Sequence, residues 1–406
     1  MIRALSANLT SITPDVLAAL RSPSGRTRIL SIGVSQFGLM TYLQELEKYC
    51  AGRDDVELVY VTMHNSLLER LWSRFPNPRS KARIAERMVS MWRRRMRSWL
   101  SPRGPLPVDL FDAVVVCPQL YALGAVDVKR AGTATKLAVI LDATVANTIR
   151  DMNDDGPVQR RLLEEDRAIF QTAELVGCMS TWAADSVRND FGVPPERICP
   201  MLPTVGIVDL PPRPPVDPSK PVKLVFVGRH WWRKGLPELL RWHQQHWATR
   251  AELHVIGNEA ELTIAKGARN VIVHGTVPRE RLMRELMPAM DLFVLPTVQD
   301  MSPAAIAEAM AAGLPVVSAR LAGIPDMVVH GETGLLVTPR DEAGYMQAIG
   351  SLIEDPALCR RMGEAARRRA ETHFRREVVY GRFVDRLIAL TLPAAGKPAP
   401  AGYSPA

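Results

Sequence analysis

Short apolar runs alternate with longer mixed stretches along most of the 406 residues. The runs lie at 28–34, 56–62, 113–117, 136–141 and 175–180, and again at 222–228, 252–257, 271–275, 291–296 and 315–319. Short continuous apolar runs are typical of strands buried on both faces of a parallel sheet, and the stretches between them predict helices. The pattern therefore predicts an α/β protein with two Rossmann-like, doubly wound parallel sheets.

A proline-rich stretch separates the two series of strands and reads as an extended linker. We expect an N-terminal extension over 1–25, a first domain over 26–205, the linker over 206–221, a second domain over 222–375 and a disordered tail over 393–406. A helix over 376–392 could pack back on the first domain. In doubly wound domains ligands bind beyond the carboxyl ends of the strands, which predicts a site in a central cleft between two facing domains.

Composition narrows the class of protein. The 47% hydrophobic and 23% charged residues are those of a globular protein, and the five cysteines form no C-x-x-C pair. This argues against a disulfide framework and against a zinc site. The N-terminus does not resemble a signal peptide, and no apolar run reaches the length that spans a bilayer. We therefore expect a cytoplasmic protein that is at most peripheral on the inner face of the membrane.

The positive charge is concentrated in one predicted helix. Residues 79–103 contain nine cations and one acidic residue, which matches the net charge of +8 of the whole chain. On a helical wheel one arc carries the apolar side chains of Ile84, Met88, Met91, Trp92, Met96 and Trp99, and the opposite arc carries Arg83, Arg87, Arg94 and Arg97. This pattern is typical of a helix in an anionic membrane interface, and equally of a surface helix packed on its own domain. No nucleic-acid recognition motif accompanies the charge, so nucleic acid is not an expected partner.

Two strand-to-helix loops carry candidate chemistry in the second half. In VFVGRHWWRKGLPELL (225–240), Arg229, Arg233 and Lys234 lie between a strand and a helix. Cations beside a helix N-terminus suit a diphosphate, although an ordinary basic turn has the same composition.

In VQDMSPAAIAEAMAAGLPVVSA (298–319), Ser302 is predicted to cap a helix that ends near Gly313. Asp300 stands at the mouth of this helix, where a carboxylate could bind sugar hydroxyls. Glu308 lies within the helix, either facing the strand ends or exposed on the surface.

A third loop, GVSQFGLMTYLQEL (33–46), has Gly33 and Gly38 where backbone could approach a phosphate, or simply turn. The motifs D-x-D, H-E-x-x-H, G-x-S-x-G and G-x-G-x-x-G are all absent, which disfavours metal-bridged nucleotide-sugar, protease, esterase and dinucleotide sites.

Together these segments resemble the retaining GT-B glycosyltransferases of family 4, the glycosyl transferases group 1. The resemblance rests on VGRHWWRKG, LHVIGN, VIVHGTVPRERLMRELMPAMDLFVLPT and DMSPAAIAEAMAAGLPVVSARLAGIPDMVVHGETGLLV, in the order and spacing of the family from about 222 to 375. It implies transfer of a sugar from a nucleotide-sugar donor to a hydroxyl acceptor with retention, and no bound metal or cofactor. With the basic helix, it suggests a lipid-linked or cell-envelope saccharide as acceptor.

The resemblance also implies roles for particular residues. Arg229 and Lys234 would hold the donor diphosphate, Asp300 would contact the donor sugar, and Glu308 would bind the ribose. Met301, Ser302 and Pro303 would wrap the sugar and phosphate, and Gly38 would approach the phosphates.

Two departures from the family pattern leave an alternative function open. The first acid of the E-x7-E pattern is Asp300, one methylene shorter than Glu, and the place of a family His-Asp pair reads Leu141-Asp142. Asp142 and His64 are therefore candidates for the acceptor side or ordinary strand-end residues. The alternative is a non-catalytic sugar-nucleotide-binding or assembly protein on the same fold.

Overall fold

The computed structural model describes residues 4–8, 25–34, 39–63, 78–152, 155–206, 210–214, 220–258 and 263–392. These residues form two compact units. The first takes its described residues from Met1–Cys178, Ala184–Met201 and Tyr380–Ala406, and the second from Met179–Ala183 and Leu202–Val379.

The first unit contains a seven-stranded, fully parallel sheet. Its strands are β1 (Ala4–Asn8), β2 (Thr27–Val34), β3 (Val56–Met63), β4 (Ala113–Cys117), β5 (Lys136–Leu141), β6 (Leu175–Cys178) and β7 (Ile198–Pro200), in the order β1-β3-β2-β4-β5-β6-β7. Every residue of β4 is buried, as are the last five of β5, because both faces of the sheet are covered.

The second unit contains a six-stranded, fully parallel sheet. Its strands are β8 (Val222–Val227), β9 (Ala251–Ile256), β10 (Val271–Gly275), β11 (Leu292–Leu295), β12 (Val316–Ala319) and β13 (Gly334–Val337), in the order β10-β9-β8-β11-β12-β13. The chain runs outward from β8 in one direction and from β11 in the other. The topological switch point, where doubly wound sheets bind ligands, therefore lies between β8 and β11.

Helices connect the strands of both units. They are α1 (Leu39–Ala51), α2 (Pro78–Leu100), α3 (Leu123–Arg130), α4 (Val145–Met152), α5 (Pro157–Thr172), α6 (Thr181–Asn189), α7 (Trp231–Lys234), α8 (Leu236–Trp242), α9 (Arg279–Arg281), α10 (Ala304–Ala311), α11 (Ile324–Met327), α12 (Glu342–Glu354), α13 (Pro356–His373) and α14 (Arg376–Thr391). Further single turns lie at Val108–Leu110, Gln119–Ala122, Pro195–Arg197, His243–Trp247, Thr263–Ala265, Leu282–Leu286 and Met287–Ala289. The predicted α/β class with two parallel sheets is confirmed.

Local sequence explains where several of these helices begin. The Asp355 carboxylate accepts the Leu358 N–H at 2.8 Å and so caps α13, and Pro356 occupies the first helical position, where no N–H is needed. The Asp341 carboxylate caps α12 in the same way, at 3.0 Å from the Gly344 nitrogen.

The last helix, α14, packs on the first unit from Tyr380 onward. The Tyr380 hydroxyl donates to the Tyr42 carbonyl at 2.5 Å, and the Tyr42 hydroxyl donates to the Met201 carbonyl at 2.9 Å. Both tyrosines are buried, so these bonds satisfy polar groups that water does not reach.

Three strands of the structure were not among the predicted runs: β1, β7 and β13. The strands β1 and β7 are the two edges of their sheet, and β13 is an edge of the other. The strand β1 contains Ser6 and Asn8, β7 includes a proline and β13 begins with a glycine, so none of the three is a long continuous apolar run. Their position depends on the neighbouring strand and not on their own pattern.

Candidate functional site

The loop after β8 is the first half of the candidate site. Arg229 is exposed, His230 has a left-handed backbone with φ of 55°, and the short helix α7 ends at Lys234. Gly235 follows with φ of 79°, and a Cβ there would lie 2.2 Å from the Pro296 carbonyl oxygen. Only glycine fits, because the loop passes directly against the backbone that follows β11.

Lys234 and Asp300 form an ion pair that joins the two loops of the switch point. The Lys234 Nζ donates to Asp300 Oδ2, and the two residues are 9% and 7% exposed. Arg233 Nη1 lies 3.9 Å from Asp300 Oδ1 and donates to the Gln299 carbonyl at 2.7 Å. The sequence predicts that Lys234 and Asp300 belong to one site. In the structure the two side chains are in direct contact.

Backbone and hydroxyl hydrogen bonds hold this arrangement in place. The Arg233 carbonyl accepts the Val298 N–H at 2.9 Å and the Thr297 hydroxyl at 2.9 Å. Arg233 and Lys234 therefore stand on a segment that is held against the loop after β11, and electrostatic stabilisation of a developing anion requires charges that are fixed in this way.

The turn that leads into α10 differs from the prediction in one detail. Pro303 and not Ser302 is the N-cap residue, and no side chain caps the helix. The Ser302 hydroxyl donates instead to the Met179 carbonyl at 3.3 Å, and the Met301 carbonyl accepts the Gly323 N–H at 2.9 Å. The capping prediction for Ser302 is wrong because a tertiary partner takes its hydroxyl.

Glu308 lies on the buried side of α10 and has a protein partner that the sequence pattern did not identify. The residue is 8% exposed, and Arg279 Nε donates to Glu308 Oε1 at 2.8 Å. Arg279 was missed because PRERLMRE reads as an ordinary charged surface helix. Neither spacing nor composition links a residue of that helix to a carboxylate 29 positions later.

The remaining predicted site residues belong to the first unit. Gly38 and His64 lie outside the described residues. Asp142 directly follows β5 and is partly buried.

The loop after β5 rests on buried polar side chains. Asp166 of α5 accepts the Val145 N–H at 2.7 Å and the Gln119 amide at 3.4 Å, and that amide also donates to the Ala143 carbonyl at 2.9 Å. The Thr144 hydroxyl lies 3.0 Å from Asn147 Oδ1. The loop that carries Asp142 is therefore fixed by groups that water does not reach.

We expect Asp166 to make stability depend on pH. Burial raises the pKa of its carboxyl to about 7, although the Val145 N–H and the Gln119 amide act in the opposite direction. The folded state therefore holds a proton that the unfolded chain, with a pKa of about 3.9, releases. The stabilisation is complete below pH of about 4 and is lost as the pH rises to about 7.

Urea unfolding of the wild type and Asp166→Asn at pH 5, 6, 7 and 8 measures this effect. The free energy of unfolding of the wild type relative to Asp166→Asn should fall from pH 5 to 7 and then level. The exposed Asp185→Asn serves as control. A difference that is constant from pH 5 to 8 would contradict the expectation.

The basic helix α2 is packed on the first unit. Trp92 and Met96 are fully buried, and α3 lies so close that a Cβ on Gly124 would stand 2.6 Å from the Arg93 carbonyl oxygen. The apolar arc is thus not available to a membrane at Trp92 and Met96, and the surface-helix interpretation is correct there. The side chains of Ile84 and Met88 lie outside the described part.

The outward side of α2 keeps its cations. Arg87, Arg94, Arg95 and Arg97 are exposed, while Arg93 pairs with Asp127 at 2.6 Å. The Arg95 guanidinium stacks 4.8 Å from the Trp99 ring, so part of the arc is covered by a cation.

No helix formed by the described residues combines the length and the apolar character that a membrane span needs. Within the same ranges, no three His, Cys, Asp or Glu side chains are grouped to hold a metal ion.

Part of the chain is similar to known proteins in sequence. Residues 221–355 match the family model of the glycosyl transferases group 1. The chain is 29% identical over 163 residues to a glycogen synthase from Mycobacterium tuberculosis, a segment that covers 38% of this chain and 39% of that synthase. The chain thus spans less than half the length of this relative.

Solved structures match over most of the chain. A sucrose-phosphate synthase from Thermosynechococcus elongatus superposes with a TM-score of 0.67 at 18% identity, over 90% of this chain and all of that one. HepE from Anabaena, solved in complex with UDP-glucose, superposes with a TM-score of 0.65 at 17% identity, over 90% of this chain and 100% of that one. At such identities the likeness concerns the fold. The chain therefore has the GT-B fold of glycosyltransferases, and its residues 221–355 are similar to the glycosyl transferases group 1.

Proposed function

We propose that this chain is a glycosyltransferase that moves a sugar from a nucleotide-sugar donor to a hydroxyl acceptor with retention of anomeric configuration. The observation that carries the proposal is the Lys234–Asp300 pair beside exposed Arg229, at the switch point between β8 and β11. These residues fall within the segment that matches the family model. A buried lysine and an exposed arginine on one loop, with an adjacent carboxylate, suit a diphosphate that carries a sugar.

The proposed roles rest on these positions and, for Gly38 and His64, which lie outside the described residues, on the sequence alone. Arg229 and Lys234 bind the diphosphate, and Asp300 contacts the donor sugar. The other donor contacts are Met301, Ser302, Pro303, Glu308 and, in the first domain, Gly38, while Asp142 and His64 are assigned to the acceptor side. The second domain thus binds the donor and the first binds the acceptor.

The reaction requires a leaving group, a base and charge stabilisation. The bond between the anomeric carbon and the diphosphate oxygen breaks, and its electron pair goes to the diphosphate. That diphosphate takes the proton of the acceptor hydroxyl, and the acceptor oxygen bonds to the anomeric carbon on the face that the diphosphate leaves, so configuration is retained. Arg229 and Lys234 stabilise the growing negative charge, and we propose that no metal takes part because the sequence lacks a D-x-D motif.

A panel of UDP-, GDP- and ADP-sugars without acceptor tests the function. The expected result is a thermal shift with one donor and its slow hydrolysis, unchanged by a chelator. A donor that binds but is never hydrolysed or transferred would favour the non-catalytic binding protein, and binding of none would overturn the proposal. The anomeric coupling constant of a transfer product tests retention.

For the acceptor we propose a lipid-linked or cell-envelope saccharide, reached by a protein that is cytoplasmic and peripheral on the inner face of the membrane. The exposed cations of α2 support this proposal, since basic residues near an anionic surface contribute about 1 kcal/mol each. The contact is electrostatic, because the apolar arc of α2 is packed inward at Trp92 and Met96.

Charge reversal at Arg94→Glu and Arg97→Glu should therefore release the protein from anionic vesicles, measured by flotation at low and moderate salt. The matched control reverses Arg361 and Arg368, which are exposed on α13. Equal flotation of both double variants would contradict a role for α2.

A further inference from the structure

The pairing of Arg279 with Glu308 goes beyond the roles proposed above, and the inference from it rests on the proposed function. Arg279 begins α9 directly after Pro278, whose backbone is extended with ψ of 139°. Its Nε donates to Glu308 Oε1 at 2.8 Å, and the two side chains are 29% and 11% exposed. Both residues lie in the second unit, on separate elements.

The surroundings of Glu308 explain why its carboxylate needs a cation. Its neighbours on α10, which are Ile306, Ala307, Ala309 and Met310, are all fully buried. A buried carboxylate costs several kcal/mol unless it is paired and hydrogen-bonded. A guanidinium suits this position because it stays charged and its planar fork fixes the geometry of the bond.

Glu308 lies in the helix that follows the Asp300 loop, and the group that follows the diphosphate in a nucleotide donor is the ribose. Asp300 stands just before α10, and Glu308 lies about 6 Å along the helix from its first residue, at 1.5 Å per residue. A carboxylate offers about four acceptor positions, so a single carboxylate can accept from a guanidinium and from hydroxyl donors at the same time.

We propose that Arg279 is a positioning residue that orients Glu308 toward the ribose hydroxyls of the donor. The site then selects a ribonucleoside diphosphate over its 2′-deoxy analogue. When the 2′-deoxy analogue binds, the buried Glu308 carboxylate lacks the hydrogen bond from the 2′-hydroxyl. The free-energy cost of this unsatisfied acceptor produces the selectivity.

The affinities of UDP and 2′-deoxy-UDP, measured by calorimetry, test this proposal. The wild type should prefer UDP by about tenfold or more, the equivalent of about 1.4 kcal/mol. Arg279→Met should weaken UDP by about tenfold and 2′-deoxy-UDP by less, because the deoxy ligand has only its 3′-hydroxyl contact to lose, so that the preference shrinks. The control Arg281→Met removes the same charge from the same short helix, where it pairs only loosely with Glu285 at 3.4 Å, and should retain the preference.

A second comparison separates positioning from general loss of structure. In Glu308→Gln the uncharged amide no longer needs a cation, so adding Arg279→Met should produce no further loss of UDP affinity. Should Arg279→Met not fold, Arg279→Gln provides the same comparison, and the preference for UDP should again shrink.

The outcomes distinguish the two proposals. Equal weakening of UDP and 2′-deoxy-UDP by Arg279→Met, or no weakening of either, overturns the role of Arg279 while the donor site stands. If the wild type binds none of UDP, GDP and ADP, the proposed function fails and this inference fails with it. If the wild type binds only GDP or only ADP, the same comparison is made between that nucleotide and its 2′-deoxy analogue.

Discussion

Lys234→Ala is expected to reduce sugar transfer by about 10²- to 10³-fold or more while the protein stays folded. The Lys234 ammonium stands on a loop fixed by Thr297 and Val298, so its charge is in place before the diphosphate leaves. Its loss removes stabilisation that is greatest when the sugar–phosphate bond is broken. The effect should therefore appear in kcat more than in the KM for the donor.

The Lys234→Ala variant should still fold, because Arg233 remains close to the Asp300 carboxylate. Arg233 Nη1 lies 3.9 Å from Asp300 Oδ1, which limits the cost of leaving that carboxylate buried. Thermal unfolding checks this point. Arg241→Ala is the matched control, since it removes one cation from an exposed pair with Glu342 in the same unit.

The double variant Lys234→Ala, Asp300→Ala separates two roles of the lysine. If Lys234 served only to neutralise Asp300, removing both residues would restore part of the turnover that Lys234→Ala loses. If Lys234 stabilises the leaving diphosphate, the double variant stays at least as slow as the single one. Near wild-type turnover in a folded Lys234→Ala would rule out the diphosphate clamp.

Trp92→Ala is expected to lower the free energy of unfolding by about 3–5 kcal/mol. Trp92 is fully buried, and its ring lies 6.3 Å from the ring of Trp99 and 6.5 Å from that of Tyr121. Truncation leaves a cavity where α2 meets its own unit, and such a loss is a large part of the stability of a domain.

Urea unfolding measures this loss, and Trp232→Ala provides the control. Trp232 is 58% exposed on α7, so its truncation should change stability by about 0.5 kcal/mol or less. Unchanged stability of Trp92→Ala together with weaker vesicle binding would mean that the apolar arc of α2 faces lipid after all.

Much of the sheet architecture could be predicted residue by residue. The runs 113–117 and 136–141 coincide with β4 and β5, because strands covered on both faces need apolar side chains at every position. The strands β7 and β13 could not be predicted in this way, since three residues with a proline and four that begin with a glycine do not form a long continuous apolar run. The two units could be anticipated from the two series of strands, but the inclusion of β1 could not.

The candidate site could be anticipated only in part. Lys234 and Asp300 stand in the loops after β8 and β11, and the chain order of strands and helices already indicates that such loops meet at one edge. Their ion pair, 66 positions apart in sequence, depends on how the two loops fold against each other. The sequence did not indicate the role of Arg279, because its pairing with Glu308 depends on how α9 packs against α10.

The amphipathic helix α2 shows most clearly what the sequence determines and what only the tertiary structure decides. Its pattern of apolar and basic positions determined that the apolar face is buried and that the basic face is exposed to water. The same pattern fits a lipid surface and a protein core, because periodicity specifies burial without specifying the partner. For Trp92 and Met96 the tertiary structure decided in favour of the core, since α3 and its close-fitting Gly124 already cover that face.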